Sequence, residues 1–289
     1  MSSSSRRRSR IILRAAWRTL RRNPGLLWFS ALLAVATITI SLAAVLLGVG
    51  GELAADPSVP SASVHARAGA GIGLMAWFAM HLVSPLVGVA AASATLEALA
   101  GRPWSMRASL GHAMSRIAAI GTFSVLDASV GGVLARLRGR DRKGRRAHPL
   151  LAQLLGMAWW AATYLVVPVL ARENRGGLSA ISRSGTLMRE TWKEAFVGRL
   201  VLGWLVWPLV IAGALALGLL VLLGVDPGGS VRALLLTAAV SLPLFAVASA
   251  VLHTLDTIYR CALYVFATEG VVPEPFDDPD LHELWYVQQ

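Results

Sequence analysis

Residues 10–49 read RIILRAAWRTLRR NPG LLWFSALLAVATITISLAAVLLGV, and this stretch decides the fold class. Its first part, residues 10–22, places apolar side chains on one face of a helix and arginines on another. An Asn-Pro-Gly turn follows, and then an uncharged apolar block at 26–49. That block is long enough to cross a hydrocarbon layer of about 30 Å, and it exceeds the roughly 7–15 apolar residues of a signal peptide. The stretch therefore predicts an interfacial helix joined to a transmembrane helix.

The composition of the whole chain agrees with a membrane protein. Of its 289 residues, 55% are hydrophobic and 15% are charged, whereas a soluble domain has about 45–50% apolar and about 25% charged residues. The single cysteine, Cys261, excludes an internal disulfide. The net charge of +11 comes from arginines that flank apolar blocks, which favours anionic membrane lipids as partners rather than nucleic acid. This composition argues against secreted disulfide scaffolds, all-β folds, nucleotide-binding α/β enzymes and disordered chains.

Apolar blocks separated by short basic segments predict an all-α, polytopic bundle of transmembrane helices. Each block approaches the 20 or so residues that a spanning helix needs. Four of the blocks contain a proline, which a membrane helix tolerates as a kink when neighbouring groups satisfy the freed backbone. The six predicted spans are residues 26–49, 72–91, 117–134, 150–170, 200–223 and 233–252.

Three amphipathic segments precede alternate spans, which suggests one unit used three times. The segments are residues 10–22, 103–115 and 178–196, each with an apolar face suited to the membrane interface. Each unit consists of an interfacial helix and two spans, and the units are residues 10–100, 103–172 and 177–268. Together they form one domain at 10–268, between a basic tail at 1–9, expected to be disordered, and an acidic tail at 269–289.

The distribution of Lys and Arg leaves two topologies open. With six spans and both termini in the cytoplasm, the predicted inner segments carry 18 of the 27 basic residues, but the cluster RLRGRDRKGRR at 136–146 lies outside. The alternative makes residues 117–134 re-entrant, which keeps this cluster inside and puts 19 of the 27 on the inner side. The repeated unit favours six spans in a bacterial inner membrane.

One acidic side chain, Asp127, stands in the middle of a predicted span. An ionisable residue in a membrane is costly, and it is a functional-site hypothesis by default. His81 is the natural partner, because it lies near the middle of the second predicted span. The pair could shuttle a proton or hold a polar headgroup. The structural alternative, which we favour, is a hydrogen-bonded clamp between two helices.

A second set of ionisable residues lies beyond the inner ends of even-numbered spans. Three acids in this set follow helix C-termini, where the negative end of the helix dipole favours cations. We interpret the set as locks, meaning ion pairs that hold interfacial helices to spans. The alternative is an ion-coupled site on the inner face. The set comprises Glu97, Glu173, His253, Asp256, Arg102, Arg183 and Arg189.

The first amphipathic segment carries the basic residues that we expect to contact anionic lipid. Its arginines recur at helical spacing, and a tryptophan lies among them, as is typical of a membrane interface. The predicted lipid-binding residues are Arg10, Arg14, Arg18, Arg21 and Trp17.

The chain carries none of the common catalytic signatures. It has no HExxH sequence, nucleophile elbow, Walker loop or dinucleotide-binding fingerprint. The glycines at 69, 71 and 73 lead into a predicted span rather than following a strand. A metal site would need more ligands than the spacing of the His and acidic residues supplies. We therefore expect a protein that is not an enzyme and that carries no cofactor and no metal.

Several stretches resemble a family of uncharacterised, mainly bacterial, integral membrane proteins, the domain-of-unknown-function 6159 family. The matching residues are LDASVGGVL at 126–134, AATYLVVPVLARE at 161–173, GLSAISRS at 177–184, LMRETWKE at 187–194 and IYRCALYVFATEGVVPEPF at 258–276. Asp127 stands where we expect a small or apolar residue in that family. The resemblance extends roughly from the first span to Phe276. It implies a six-helix membrane domain and supplies no activity, ligand or site residue.

Two functions from different classes follow from the sequence. The first is a non-catalytic accessory or scaffold protein that binds anionic lipid, with a protein partner or self-association as an open option. The second is a small transporter, channel or lipid-handling protein that uses the pair of His81 and Asp127. An intramembrane enzyme is the third and least supported hypothesis.

Overall fold

The structure is a computed structural model, and it describes residues 3–53, 62–138, 149–190 and 231–277. These residues form helices joined by short turns, with no strand among them, so the all-α class is confirmed. The helices are α1 (Ser3–Arg22), α2 (Leu27–Leu53), α3 (Ala62–Leu99), α4 (Met106–Ser115), α5 (Ile117–Arg138), α6 (Pro149–Thr163), α7 (Val166–Arg172), α8 (Gly177–Glu190) and α9 (Val231–Glu269), with 3-10 turns at Pro24–Leu26 and Glu274–Phe276.

Four stretches of these helices are long and apolar enough to cross a membrane. They are Pro24–Ala44, Gly71–Leu99, Ile117–Arg138 and Leu150–Arg172, and they correspond to the first four predicted spans. Large apolar side chains are exposed along them, as expected of helices that contact lipid rather than water. Examples are Val35, Ile38, Leu42, Leu74, Met75, Leu150 and Leu154.

Of the last two predicted spans, the structure describes only the second. Residues 200–223, together with Trp192 of the third amphipathic segment, lie outside the described residues. Residues 233–252 fall inside α9, which runs without interruption through Pro243. The six-span count and the three-unit arrangement therefore stay predictions, while a helical membrane protein with at least four candidate crossings is supported directly.

Helix α5 bears on the choice between a full crossing and a re-entrant segment. It is continuous over 22 residues, and at 1.5 Å per residue it is about 33 Å long. A re-entrant segment must reverse direction within the membrane, and α5 contains no break at which it could do so. The form of the helix favours the full crossing.

The fourth predicted span is interrupted rather than straight. The helix stops after Thr163 and resumes at Val166, as expected upstream of Pro168, whose ring excludes the carbonyl of Tyr164 from helical bonding. At this break the backbone N–H of Leu165 donates to the side-chain oxygen of Ser184 over 3.0 Å, and Ser184 is fully buried. A hydroxyl from α8 thus satisfies a backbone group that the kink releases.

The described chain divides into two compact units. The first contains residues 3–30, 95–102 and 231–277. In it, α1 packs against α9 and against the turn Glu274–Phe276. Phe276 is completely buried there, with its ring centroid 6.5 Å from that of Tyr259. An exposed ion pair of 3.5 Å joins Arg22, the last residue of α1, to Glu274 of this turn.

The second unit contains residues 31–94 and 103–190, and α8 is its central packing element. This helix contacts α5, α6 and α7. Its first residue, Gly177, lies so close to α5 that an added Cβ would be 2.6 Å from the backbone nitrogen of Phe123 and 2.7 Å from the carbonyl oxygen of Ala119. Glycine is needed there because backbone, which has little freedom to move, occupies the space.

The amphipathic helices bury both small and large side chains against the protein and leave a few large apolar ones exposed. On α1 the buried face includes Ile12, Ala15 and Leu20, whereas Trp17 is 44% exposed. The same holds for α4 and α8. Ser109 and Ala113 of α4 and Ala180 and Ser184 of α8 are buried, but Met114 and Leu178 are exposed. The predicted apolar stripes are therefore only partly the packed faces, since Leu20 and Met188 are buried whereas other large apolar residues of the stripes are exposed.

The hydrogen bond at the α6–α7 break gives a testable prediction. Ser184→Ala removes the acceptor and leaves the buried N–H of Leu165 unsatisfied, which we expect to lower the free energy of unfolding by about 1–3 kcal/mol. Ser182→Ala is the matched control, because Ser182 lies on the same helix with an exposed side chain. Its effect should stay within about 0.5 kcal/mol. Unfolding of the purified protein in mixed detergent micelles measures both, and equal effects would contradict the assignment.

Candidate functional site

The structure brings together the two residues of the predicted intramembrane pair. Asp127 is the eleventh of the 22 residues of α5, and His81 lies on α3 four residues before Pro85. The Nε2 atom of His81 is 4.0 Å from Oδ2 of Asp127. The side chains keep 24% and 36% of their surface exposed, respectively, so the pair is open on one side rather than enclosed.

A third residue completes this site, and the sequence analysis missed it. The indole N–H of Trp159, on α6, donates to Oδ1 of Asp127 over 2.8 Å. An indole nitrogen is a donor only, so Oδ1 is the acceptor. A tryptophan near the end of a span is ordinarily expected to face the membrane interface, and sequence position alone does not show which way an indole points. Its position 32 residues after Asp127 gave no signal of the contact.

The imidazole of His81 is held by its own helix. Its Nδ1 lies 2.9 Å from the carbonyl oxygen of Trp77, one turn earlier. A carbonyl accepts and never donates, so Nδ1 carries a proton and Nε2 is turned toward Asp127. The ring of Trp77 packs against that of His81 at a tilt of 52°, with centroids 4.4 Å apart. The indole of Trp77 lies beside Gly131 and Gly132 of α5.

The acids of the second predicted set each have an arginine partner close in sequence. Glu97 accepts from Arg102, just beyond the end of α3, and this hydrogen bond raises the pKa of the Arg102 guanidinium. Asp256 pairs with Arg260, one turn later on α9. Both pairs lie in the first unit and join residues near each other in sequence, so neither links an interfacial helix to a span.

Glu173 joins elements that are separate in the fold, as a lock between an interfacial helix and a span would. Its carboxylate pairs with Arg183 of α8 at 3.2 Å and also with Arg175. Its backbone carbonyl accepts from Arg116, at the end of α4, over 2.8 Å. This junction therefore ties the end of α7 to both amphipathic helices of the second unit. Arg189, also in the predicted set, has an exposed side chain.

His253 has hydroxyl partners that the sequence did not suggest. Its Nδ1 is 3.1 Å from the side-chain oxygen of Ser30, which is itself 2.7 Å from that of Thr254. Thr254 also donates to the carbonyl of Ala250. If the threonine proton is used there, Ser30 donates to Thr254 and accepts from His253. The chain of bonds fastens the start of α2 to α9 inside the first unit.

The predicted lipid-binding residues lie on α1, opposite its packed face. Arg14, Arg18 and Arg21 are exposed, and Trp17 is 44% exposed beside them. Arg10 belongs to α1 as well, but its side chain lies outside the described residues. The helix thus presents three arginines and one indole on the side that α9 does not cover.

No group of three or more His, Cys, Asp and Glu side chains that could hold a metal occurs in the described ranges.

A family model matches residues 70–273, more than two thirds of the chain. The chain belongs to family DUF6159, a family of unknown function. No curated protein matches the chain. The matched range is somewhat shorter than the resemblance inferred from the sequence, since it begins inside α3. It includes His81, Asp127 and Glu173, while the arginines of α1 precede it.

The contact between Trp159 and Asp127 is tested by a double-mutant cycle. With Trp159→Phe and Asp127→Ala, we expect a coupling energy of about 1.5 kcal/mol or more, as for other hydrogen bonds to charged groups. The control cycle pairs Trp159→Phe with Ser129→Ala, whose hydroxyl bonds within its own helix to Val125. Coupling there should stay below about 0.5 kcal/mol. Equal coupling in the two cycles would show that Trp159 does not donate to Asp127.

Proposed function

We propose that this member of DUF6159 is an integral membrane protein that binds anionic lipid and acts as an accessory or scaffold, without catalysing a reaction. It resides in the inner membrane, with both termini in the cytoplasm. The observation that carries the proposal is that the two faces of α1 differ in what they contact. One face packs against protein, and the other offers arginines and an indole with no described contact to hold them inward.

The charge on α1 favours a phosphate-bearing surface. Arg14, Arg18 and Arg21 recur every three or four residues, so they lie along one side of the helix. Guanidinium groups bind phosphate with forked hydrogen bonds, and an indole is favoured at the level of lipid headgroups. Trp17, between the first two arginines, supplies that indole.

The other two amphipathic helices support the same reading. Met114 of α4 and Leu178 of α8 are exposed although large and apolar, while another face of each helix is buried against the protein. Exposed arginines accompany them, Arg107 on α4 and Arg189 on α8. Helices with this pattern lie in the interface plane of a membrane.

Lipid retention by α1 is the direct test. Each arginine near an anionic surface contributes about 1 kcal/mol, so the double variant Arg14→Gln/Arg18→Gln should weaken binding of phosphatidylglycerol by about 30-fold. The measurement is the amount of phosphatidylglycerol that stays with the detergent-purified protein, determined by lipid extraction and mass spectrometry.

The control variant removes the same charge elsewhere. Arg136→Gln/Arg138→Gln neutralises two arginines in the last turn of α5, which is not one of the amphipathic helices. We expect it to retain clearly more phosphatidylglycerol than the α1 variant. If both variants lost the same amount of phosphatidylglycerol, the effect would come from net charge and not from α1, which would contradict the proposal. If the α1 variant lost none, the proposal would be refuted.

A second candidate function has one specific observation in its favour. A transporter, channel or lipid-handling protein needs a polar group inside its helices, and Asp127 lies 4.0 Å from His81 midway along α5. Pro85 lies one turn after His81 and has no N–H to bond to the carbonyl of His81, so α3 lacks one helical hydrogen bond there. The lipid-binding proposal does not need this pair, and the two functions are therefore separable by Asp127→Asn.

A further inference from the structure

The contacts of Asp127 and His81 leave one side of the pair unused. Trp159 occupies Oδ1 of Asp127, and the carbonyl of Trp77 occupies Nδ1 of His81. The remaining atoms, Oδ2 and Nε2, are 4.0 Å apart, which is longer than the roughly 3.2 Å limit of a good hydrogen bond. With Nδ1 protonated in the neutral ring, Nε2 accepts, so two acceptors face the same space and neither satisfies the other.

The negative charge of Asp127 also lacks a full counter-charge. Its side chain is 36% exposed within a helix that is otherwise apolar through its centre. Among the described residues, His81 is the basic side chain within 4.0 Å. The arginines of α5, Arg136 and Arg138, come nine and eleven residues later, about 13–16 Å along the helix. A positively charged ligand would therefore gain strongly from this position.

Two indoles belong to the same site. Trp159 contacts the carboxylate through its N–H, and Trp77 lies against the imidazole and over Gly131 and Gly132. The faces of aromatic rings attract cations, with indole the strongest of the common rings. An organic cation bound to the carboxylate would therefore lie beside aromatic rings.

We propose that Asp127, His81, Trp77 and Trp159 form a binding site for a protonated primary amine carried by an amphiphile. If a ligand nitrogen lies about 2.8 Å from both Oδ2 and Nε2, the angle Oδ2–N–Nε2 is about 90°. This is close to the tetrahedral angle between two N–H bonds. Two N–H groups can thus bond to the two acceptors at once. The alkyl portion then lies along the exposed apolar surface of the helices.

The distances favour this ligand over simpler occupants. A proton shared between the two residues requires them at hydrogen-bond distance, which 4.0 Å exceeds. A quaternary ammonium carries charge but no N–H group, so it would use Asp127 and the indoles and lose both hydrogen bonds. The proposal does not rest on lipid binding by α1, because none of its residues lies on that helix.

The test compares amines that differ only in their N–H groups. Full-length protein in phosphatidylcholine nanodiscs, which contain no primary amine, is titrated with decylamine, with decyltrimethylammonium and with decanol by isothermal calorimetry. Empty nanodiscs give the partition background. We expect saturable binding of decylamine that is at least tenfold tighter than that of the trimethyl compound, and no saturable binding of decanol.

Variants then assign the binding to the site. Asp127→Asn keeps the acceptor for Trp159 and should weaken decylamine at least tenfold, and His81→Phe keeps an aromatic ring and should weaken it about fivefold. Glu274→Gln removes an exposed carboxylate from the turn at Glu274–Phe276 and should change it less than twofold. Equal binding of decylamine by wild type and Asp127→Asn, or equal binding of the two ammonium compounds, would overturn the proposal.

A last arm separates the two sources of the amine. Phosphatidylethanolamine carries a primary ammonium on a lipid headgroup, whereas a free amphiphilic amine carries it on a single chain. If wild type but not Asp127→Asn retains phosphatidylethanolamine after purification from mixed lipids, the ligand is a lipid headgroup. If decylamine binds through Asp127 but phosphatidylethanolamine is not retained, the site takes a free amine.

Discussion

The rest of this structure depends on the need to satisfy every polar group that lies within apolar helices. Water and its hydrogen bonds are absent from a hydrocarbon layer, so each hydrogen bond left unmade there lowers stability. The helix break before Pro168 is possible because Ser184 accepts from Leu165. Asp127 is tolerated in α5 because Trp159 donates to it. In both places a side chain from a neighbouring helix supplies what the backbone or the solvent does not.

The same requirement explains how the amphipathic helices combine two roles. Close packing against a helix needs small residues, and contact with headgroups needs arginine and large apolar side chains. On α8 the first role belongs to Gly177, which lies closest to α5, and to buried residues such as Ala180 and Leu187, and the second to exposed residues such as Leu178 and Arg189. A single short helix can therefore hold the second unit together and face a membrane.

Much of this fold could be predicted from the sequence, and the reason is periodicity and length. Apolar blocks of about 20 residues and an Asn-Pro-Gly turn predicted α2, α3, α5 and the helix broken at Tyr164–Leu165. The contact of His81 with Asp127 was also predicted, because few ionisable residues stand at mid-helix. Trp159, Ser30 and Arg116 were missed. Their roles depend on the rotation of one helix against another, which no spacing along the chain records.

Whether α5 crosses the membrane completely is the central claim, since only a full crossing places Asp127 in mid-membrane. In a Cys261→Ser background, single cysteines at Lys143, between α5 and α6, and at Ser115, just before α5, are exposed to a membrane-impermeant thiol reagent. The account predicts that Lys143→Cys is labelled in intact cells and that Ser115→Cys is labelled only after lysis. Labelling of both positions only after lysis would contradict it.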